Sequence, residues 1–325
     1  MVPAYSIAFS GAKRVQPGQV GPGPYPCAEV CDFAFRPKQK RLSSPVSTCL
    51  GFPVHTLVST THGGQQISGG VHPNAAGTLT AASLLFLPGR RPSAAEVRAA
   101  AQRDGGFTIS LDPADDAPAN ADPEALRWLE LLANGLTFDL EGLRPGEAEP
   151  VPPAGHLYGL PADFAPGMLE AVTLRPGPHL RAGGTMVPVV RGMAWLMARL
   201  AQMPFVQAVA WHPARTWCSP RHFSDSVIRW ADGGPFPGLG LTALAPTPEG
   251  GLQSEGLSLF TGQELRIEPH LVSDRAAGAR LALRMLHWLV ENGQLTGQVT
   301  LAGPGGEALV LDPSTSGRFV SASRA

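Results

Sequence analysis

Eleven residues, "RTWCSPRHFSD" from Arg215 to Asp225, gather a thiol, an imidazole and a carboxylate, and "AWHPA" adds a second imidazole at His212 just upstream. A nucleophilic cysteine works as the thiolate, and a neighbouring imidazole or a helix N-terminus lowers a thiol's pKa enough to supply one. Ser219 and Pro220 are the residue types of a helix N-cap and first position. The pattern therefore sets Cys218 just before a helix, His222 in its first turn and His212 at the end of the preceding strand. On that reading Cys218 is the nucleophile of a thiol- or histidine-dependent hydrolase, His222 or His212 its base, and Asp225 the nearby carboxylate. His212, Cys218 and His222 would ligate a metal if they converged. A structural reading competes and is favoured. In it Ser219 caps the helix, Phe223 and Val227 bury its inner face, His222 and Asp225 stay solvated, and Cys218 packs as a small hydrophobe. The chain lacks G-x-S-x-G, a Walker A sequence, G-x-G-x-x-G and H-E-x-x-H, as well as known cysteine-hydrolase signatures.

Other charged residues give candidate contacts. Arg215, Arg221 and Arg229 are balanced locally only by Asp225 and Asp232, so they offer a site for an acidic partner or ligand, against the usual outcome of a solvated face. Glu264 and Arg266 either line a pocket, or Glu264 accepts backbone donors in a turn where Gly262 takes a positive φ. His287 lies in a polar stripe with Arg280, Arg284 and Glu291, while His156 and His179 fall in Pro-rich stretches without partners nearby in sequence.

Elements that would position these groups are readable from residue 83 onward. "SLLFL" (83–87) is a short apolar strand, and Ser93 with Glu96 three residues on makes a capping box for a helix ending at Gly105. "FTISL" (107–111) is a second strand. A second helix is expected from Asp122 as N-cap and Pro123 at its start, with leucines 126, 129 and 132 along one side and Gly135 as its stop, before the strand "LTFDL". After a Pro-rich connection at 141–167 the alternation restarts: the strand "MLEAVTLRP", a helix from Pro188, the buried strand "FVQAVAW" (205–211), the helix from Pro220 and the strand "LGLTAL" (239–244). A Gly-rich run to Phe260 follows. The longest helix is bounded by Ser273 and Gly293, and three strands close the chain. The expectation is an α+β protein with helices on one face of largely antiparallel sheets, divided into halves at 81–140 and 168–325.

Composition narrows the function classes. The 325 residues allow about two domains. Net charge is −1 and the pI near 6.8, so no global basic field favours nucleic acid or an anionic membrane. The most apolar stretch is broken by Arg199, Gln202 and Pro204, short of a membrane span. No secretion-signal pattern opens the chain, so a soluble cytoplasmic protein is expected. All three lysines and three of the four cysteines fall within residues 1–50. Residues 1–80 carry a charge of +4 and residues 81–325 a charge of −5. Pro, Gly and Ser punctuate 1–80 without periodicity, which reads as a disordered extension or as a start placed too early, with initiation near Val71 or Leu79. Cys27, Cys31, His55 and His62 match no zinc spacing well enough to assign a site. No metal or cofactor is expected.

"SEGLSLFTGQELRIEP" together with the long helix and "LTGQVTLAGPGGEALVLDPSTSGRFV" resembles the C-terminal half of the bacterial family called domain of unknown function 4261. Gly256, Leu257, Phe260, Gly262, Glu264 and Leu265 carry the resemblance, which extends over residues 186–322. It implies a fold-level unit and no reaction. The expectation is a non-catalytic protein that acts by binding another protein, as an accessory or immunity-type factor, with the Cys218-centred hydrolase as the alternative.

Overall fold

The computed structural model describes residues 80–115 and 127–325; the Cys27, Cys31, His55 and His62 set and the question of the true start lie outside them. Chain order is β1 Ala82–Phe86, α1 Ala94–Asp104, β2 Thr108–Leu111, β3 Trp128–Ala133, β4 Leu136–Glu141, β5 His156–Tyr158, β6 Glu170–Pro176, α2 Val187–Leu200 and β7 Val206–Trp211. Then come β8 Thr216–Cys218, α3 Pro220–Ala231, β9 Ala243–Pro246, β10 Leu252–Glu255, α4 Ser258–Thr261, β11 Glu264–Ile267, α5 Arg275–Asn292, β12 Val299–Ala302, β13 Ala308–Pro313 and β14 Phe319–Arg324.

The fold is α+β, with two mixed, mostly antiparallel sheets. The first has the order β2-β3-β4-β6-β1-β7-β8-β5, and the second β12-β13-β14-β11-β10-β9. Within the first, β1, α1, β4, β6, α2 and β7 form a split βαββαβ unit: β1 lies between β6 and β7, antiparallel to both. Alternate side chains explain its layers. Ala82, Leu84 and Phe86 share a core with Val97 of α1, Met193 and Leu196 of α2 and Phe223 and Val227 of α3. Ser83 and Leu85 face the other way, as a period of two requires. In the second sheet Leu265, Ile267, Leu311 and Val320 pack against Leu281, Met285, Leu286 and Leu289 of α5.

Local chemistry sets the helix ends. Ser93 accepts from Glu96 N while the Glu96 carboxylate accepts from Ser93 N, and Gly105 closes α1 at φ 66°. Ser219 caps α3 with Pro220 following. The N-cap of α5 is Asp274, one residue beyond the expected Ser273; its carboxylate accepts from Ala276 and Ala277 N.

Two expectations are corrected. The helix placed after Asp122 is a strand over its described residues: β3 pairs with β4 across Asn134 and Gly135, whose φ values of 52° and 76° belong to a two-residue hairpin. Leu129, Leu131 and Ala133 point inward at a period of two, and this outcompetes the three-residue spacing of the leucines. The strand placed at 239–244 begins only at Ala243. The residues before it turn, with Thr242 Oγ1 donating to Gly238 O and Gly240 at φ 120°.

Residues 141–167 do not separate the two sheets. Strands from both sides of this Pro-rich segment join the first sheet, and β5 arises within it. Leu157, Leu160 and Phe164 cover Leu85, Ala171, Ala208, Ala210 and Trp217 on the face turned away from the helices. Among the described residues no helix is long and apolar enough to cross a membrane.

Candidate functional site

The sheet register scatters the chemistry of "RTWCSPRHFSD". Cys218 ends β8 fully buried on the helix-covered face, and burial pushes its thiol up to about 12. A Cβ on Gly240 would sit 3.3 Å from its sulfur, so the thiol fills a packed niche. His222 N donates to Ser219 Oγ at 3.2 Å, and the His222 ring nitrogen lies 3.3 Å from Leu239 O. Asp225 is exposed and pairs with Arg221 one turn away at 3.5 Å. His212 follows β7 on the reverse face, against Ser83. Cys218, His222, His212 and Asp225 do not meet.

A different polar group does assemble, on the reverse face. The cross-strand row Glu141, Thr173, Ser83, Ala210, Trp217 is fixed by the pairings of β4, β6, β1, β7 and β8. In it Ser83 Oγ lies 2.8 Å from Thr173 Oγ1 and 2.8 Å from His212 Nε2. Burial, and then the charge of Arg175, push the His212 imidazole down to about 4, so it is neutral at pH 7. Arg175 is held by Glu141 and, at 3.1 Å, by Glu149.

Arg215 and His156 belong to a second cluster that sequence proximity concealed. The Arg215 Nε donates to Glu255 Oε1 and Nη2 to Oε2 at 3.0 Å, while His156 Nε2 reaches Glu255 Oε2 at 3.0 Å. Burial alone would raise the Glu255 carboxyl, but bonds from His156 and Arg215 outweigh it and hold it at about 2. The ion pair ties β10 of the second sheet to the approach to β8 in the first. Gly256 makes that approach possible: at φ 86° its added Cβ would lie 2.7 Å from the Ala214 Cβ.

The remaining residues of the "SEGLSLFTGQEL" segment are structural in their contacts. Glu264 accepts from Gly256 N at 3.0 Å, Leu257 N at 3.2 Å, Ser258 N at 3.0 Å and Ser254 Oγ at 2.5 Å. Leu257 and Leu265 are fully buried, Phe260 packs edge-on to Phe236 at 4.9 Å and Trp230 at 6.1 Å, and Gly262 closes α4 at φ 76°. Arg266 Nε donates to Gln253, and its guanidinium lies 3.6 Å above the Phe319 ring. Glu264 and Arg266 therefore serve separate contacts. His287 is less free than a solvated stripe suggests, since Phe236 N donates to its Nδ1 at 3.2 Å.

One surface feature has no counterpart in the sequence pattern. β1 ends at Phe86, which pairs with Glu170 on one side and Val206 on the other, and Leu87 is the next residue. Leu87 is 50% exposed, Phe205 57% and Met168 84%. Phe205 is also in the left-handed region, φ 68°, which a bulky L-residue rarely occupies. Arg90, without a carboxylate partner among the described residues, places its guanidinium 5.0 Å from the Phe205 ring centroid. "PFVQAVAW" gave no hint of this, because Phe205 reads as the first residue of a buried strand. No family model, curated protein or solved structure matches the chain.

Proposed function

We propose that the chain is a protein-binding module, of accessory or immunity type, whose contact surface is the ledge formed by Leu87 and Phe205 with Arg90 at its edge. Phe205 carries this reading: an exposed aromatic side chain held in a disfavoured backbone conformation is the kind of strained feature that persists at binding sites. Aromatic and Arg residues are also enriched at protein interfaces. The ledge suits a partner that brings apolar side chains to Phe205 and Leu87 and a carboxylate to Arg90. The resemblance of residues 186–322 to a family without an assigned reaction is compatible with this reading and adds no mechanism to it.

The experiment is site-specific photocrosslinking in extract of the native cell, with p-benzoylphenylalanine at position 205 and, as control, at the exposed Glu249. The expected result is one adduct from position 205 alone, absent when Arg90→Glu is added. The crosslinked protein, once purified, should bind the unmodified chain. Identical adducts from both positions, or no binding by the purified protein, would overturn the proposal.

A further inference from the structure

The two sheets of the described residues end in four edge strands, and three of them carry a feature that discourages pairing with another chain. β2 breaks register between Ile109 and Leu111, β5 has only three residues, and β9 ends in Pro246. β12, at the end of the second sheet, has none of these. Its residues Val299, Thr300, Leu301 and Ala302 pair with β13 in unbroken register and include neither a charge nor a proline. From Asn292 to Gly306 no residue is charged.

The direction of its backbone groups follows from the hairpin that joins it to β13. Gly303 N donates to Glu307 O at 2.7 Å, and on the far side of β13 Ala325 N donates to Ala308 O at 3.0 Å. Hydrogen-bonded pairs alternate along an antiparallel ladder, so Leu301 and Val299 exchange the inner bonds with Leu309 and Leu311. Thr300 and Ala302 therefore turn N–H and C=O toward the open edge, where they meet no partner among the described residues. Side chains alternate as well. Val299 and Leu301 pack, half-buried, against the core shared with α5, whereas Thr300 and Ala302 are exposed on the other face.

A second copy of β12 fits this edge. With two copies antiparallel about a two-fold axis at Thr300, each Thr300 faces the partner's Thr300 and each Ala302 faces the partner's Gln298. These three pairs use outward-turned groups and give about six backbone hydrogen bonds. Each Val299 then lies across from the partner's Leu301 on the α5 side, in non-hydrogen-bonded pairs, where cross-strand side chains come closest. An axis at Leu301 would instead set Gln298 against the partner's Pro304, which has no N–H to give. The uncharged stretch favours a copy as occupant, because a two-fold axis brings residues near their own counterparts and a charged edge would meet like charge.

We propose that β12 is a homodimerisation edge, across which two copies of the chain join their second sheets into one continuous sheet centred on Thr300. The ledge at Phe205 belongs to the first sheet, and this proposal does not rest on it.

The test is sedimentation velocity of the full chain from about 1 to 500 μM. An edge of this length makes a small interface, so a reversible dimer with a Kd of about 10–100 μM is expected. Thr300→Pro removes the outward N–H at the axis and leaves the inner bonds to β13 in place. Thr300→Lys sets two ammonium groups against each other from exposed positions, and serves if the proline variant does not fold. Each variant shown by thermal unfolding to be folded should dimerise at least about tenfold more weakly. Register is read separately, in dimers of mixed ¹³C-labelled and unlabelled chains, where isotope-filtered NOE spectra should connect Val299 methyls of one copy with Leu301 methyls of the other. A chain monomeric up to about 500 μM would overturn the proposal, even if the edge binds an extended peptide instead. So would a dimer without the Val299–Leu301 contact between copies, or one that a folded variant leaves intact.

Discussion

Replacing Phe205 by glycine and, separately, by alanine tests whether this residue is held in a strained conformation. Both substitutions remove the same ring, so the packing of its partly exposed surface and the contact with Arg90 are lost equally and cancel between them. The backbone remains. At φ 68° an L-residue is disfavoured by roughly 1–2 kcal/mol, whereas glycine carries no such penalty. Glycine is in turn disfavoured by about 0.5–1 kcal/mol for the freedom it gains in the unfolded chain. The balance makes Phe205→Gly more stable than Phe205→Ala by about 0–1.5 kcal/mol, the reverse of the order at an ordinary loop residue with negative φ. Urea unfolding of the two variants reads the difference directly, and in a domain of this size about 1 kcal/mol corresponds to about 2–4 °C in melting temperature. An alanine variant more stable than the glycine variant by about 0.5 kcal/mol or more, the order at an unstrained residue, would refute the claim that position 205 is strained.

Further outcomes follow from the buried groups. His212 is neutral in the fold and titrates at about 4, below its ordinary value of 6.5, so the unfolded chain binds more protons between those values. Its contribution is present above pH 6.5 and is lost on acidification; about 2 kcal/mol should disappear between pH 7.5 and pH 5, measured as the stability of the wild type minus that of His212→Gln. A difference independent of pH would contradict the assignment. Gly256→Ala places a methyl group against Ala214 at φ 86° and should destabilise by at least about 2 kcal/mol in thermal unfolding, whereas Gly233→Ala, also at positive φ but with open space around it, should cost less. Cys218, buried with its thiol pushed to about 12, should resist iodoacetamide at pH 8 until the chain unfolds, as followed by peptide mass mapping. Rapid alkylation of the folded chain would return Cys218 to consideration as a nucleophile.

Several helix boundaries were legible because the information is local, although the N-cap of α5 fell one residue on, at Asp274. Ser93 with Glu96, Gly105, and Ser219 with Pro220 lie next to the groups they satisfy, and the structure uses each of them as its type suggests. The error at Trp128–Ala133 came from weighing the spacing of leucines over the Asn134-Gly135 pair, a hairpin signal present in the sequence. The site was harder to read. His212 and Cys218 are six residues apart, yet the reversal between β7 and β8 puts them on opposite faces of one sheet. Ser83 and Thr173, by contrast, are ninety positions apart and meet only because β1 lies beside β6. His156 finds Glu255 across ninety-nine positions and two sheets. The Glu264 turn was readable because its donors lie within eight residues. A positive φ at Phe205 has no sequence signature, since aromatic residues in that region are rare and no turn type requires one.

The most direct test of the binding function is calorimetric titration of the protein crosslinked at position 205 against the wild-type chain and against Phe205→Gly. The account predicts at least about a 30-fold loss of affinity, the size expected when an interface anchor worth about 2 kcal/mol is removed, with thermal unfolding showing the variant folded at the titration temperature. Affinities equal within about twofold would show that the ledge is not the contact surface.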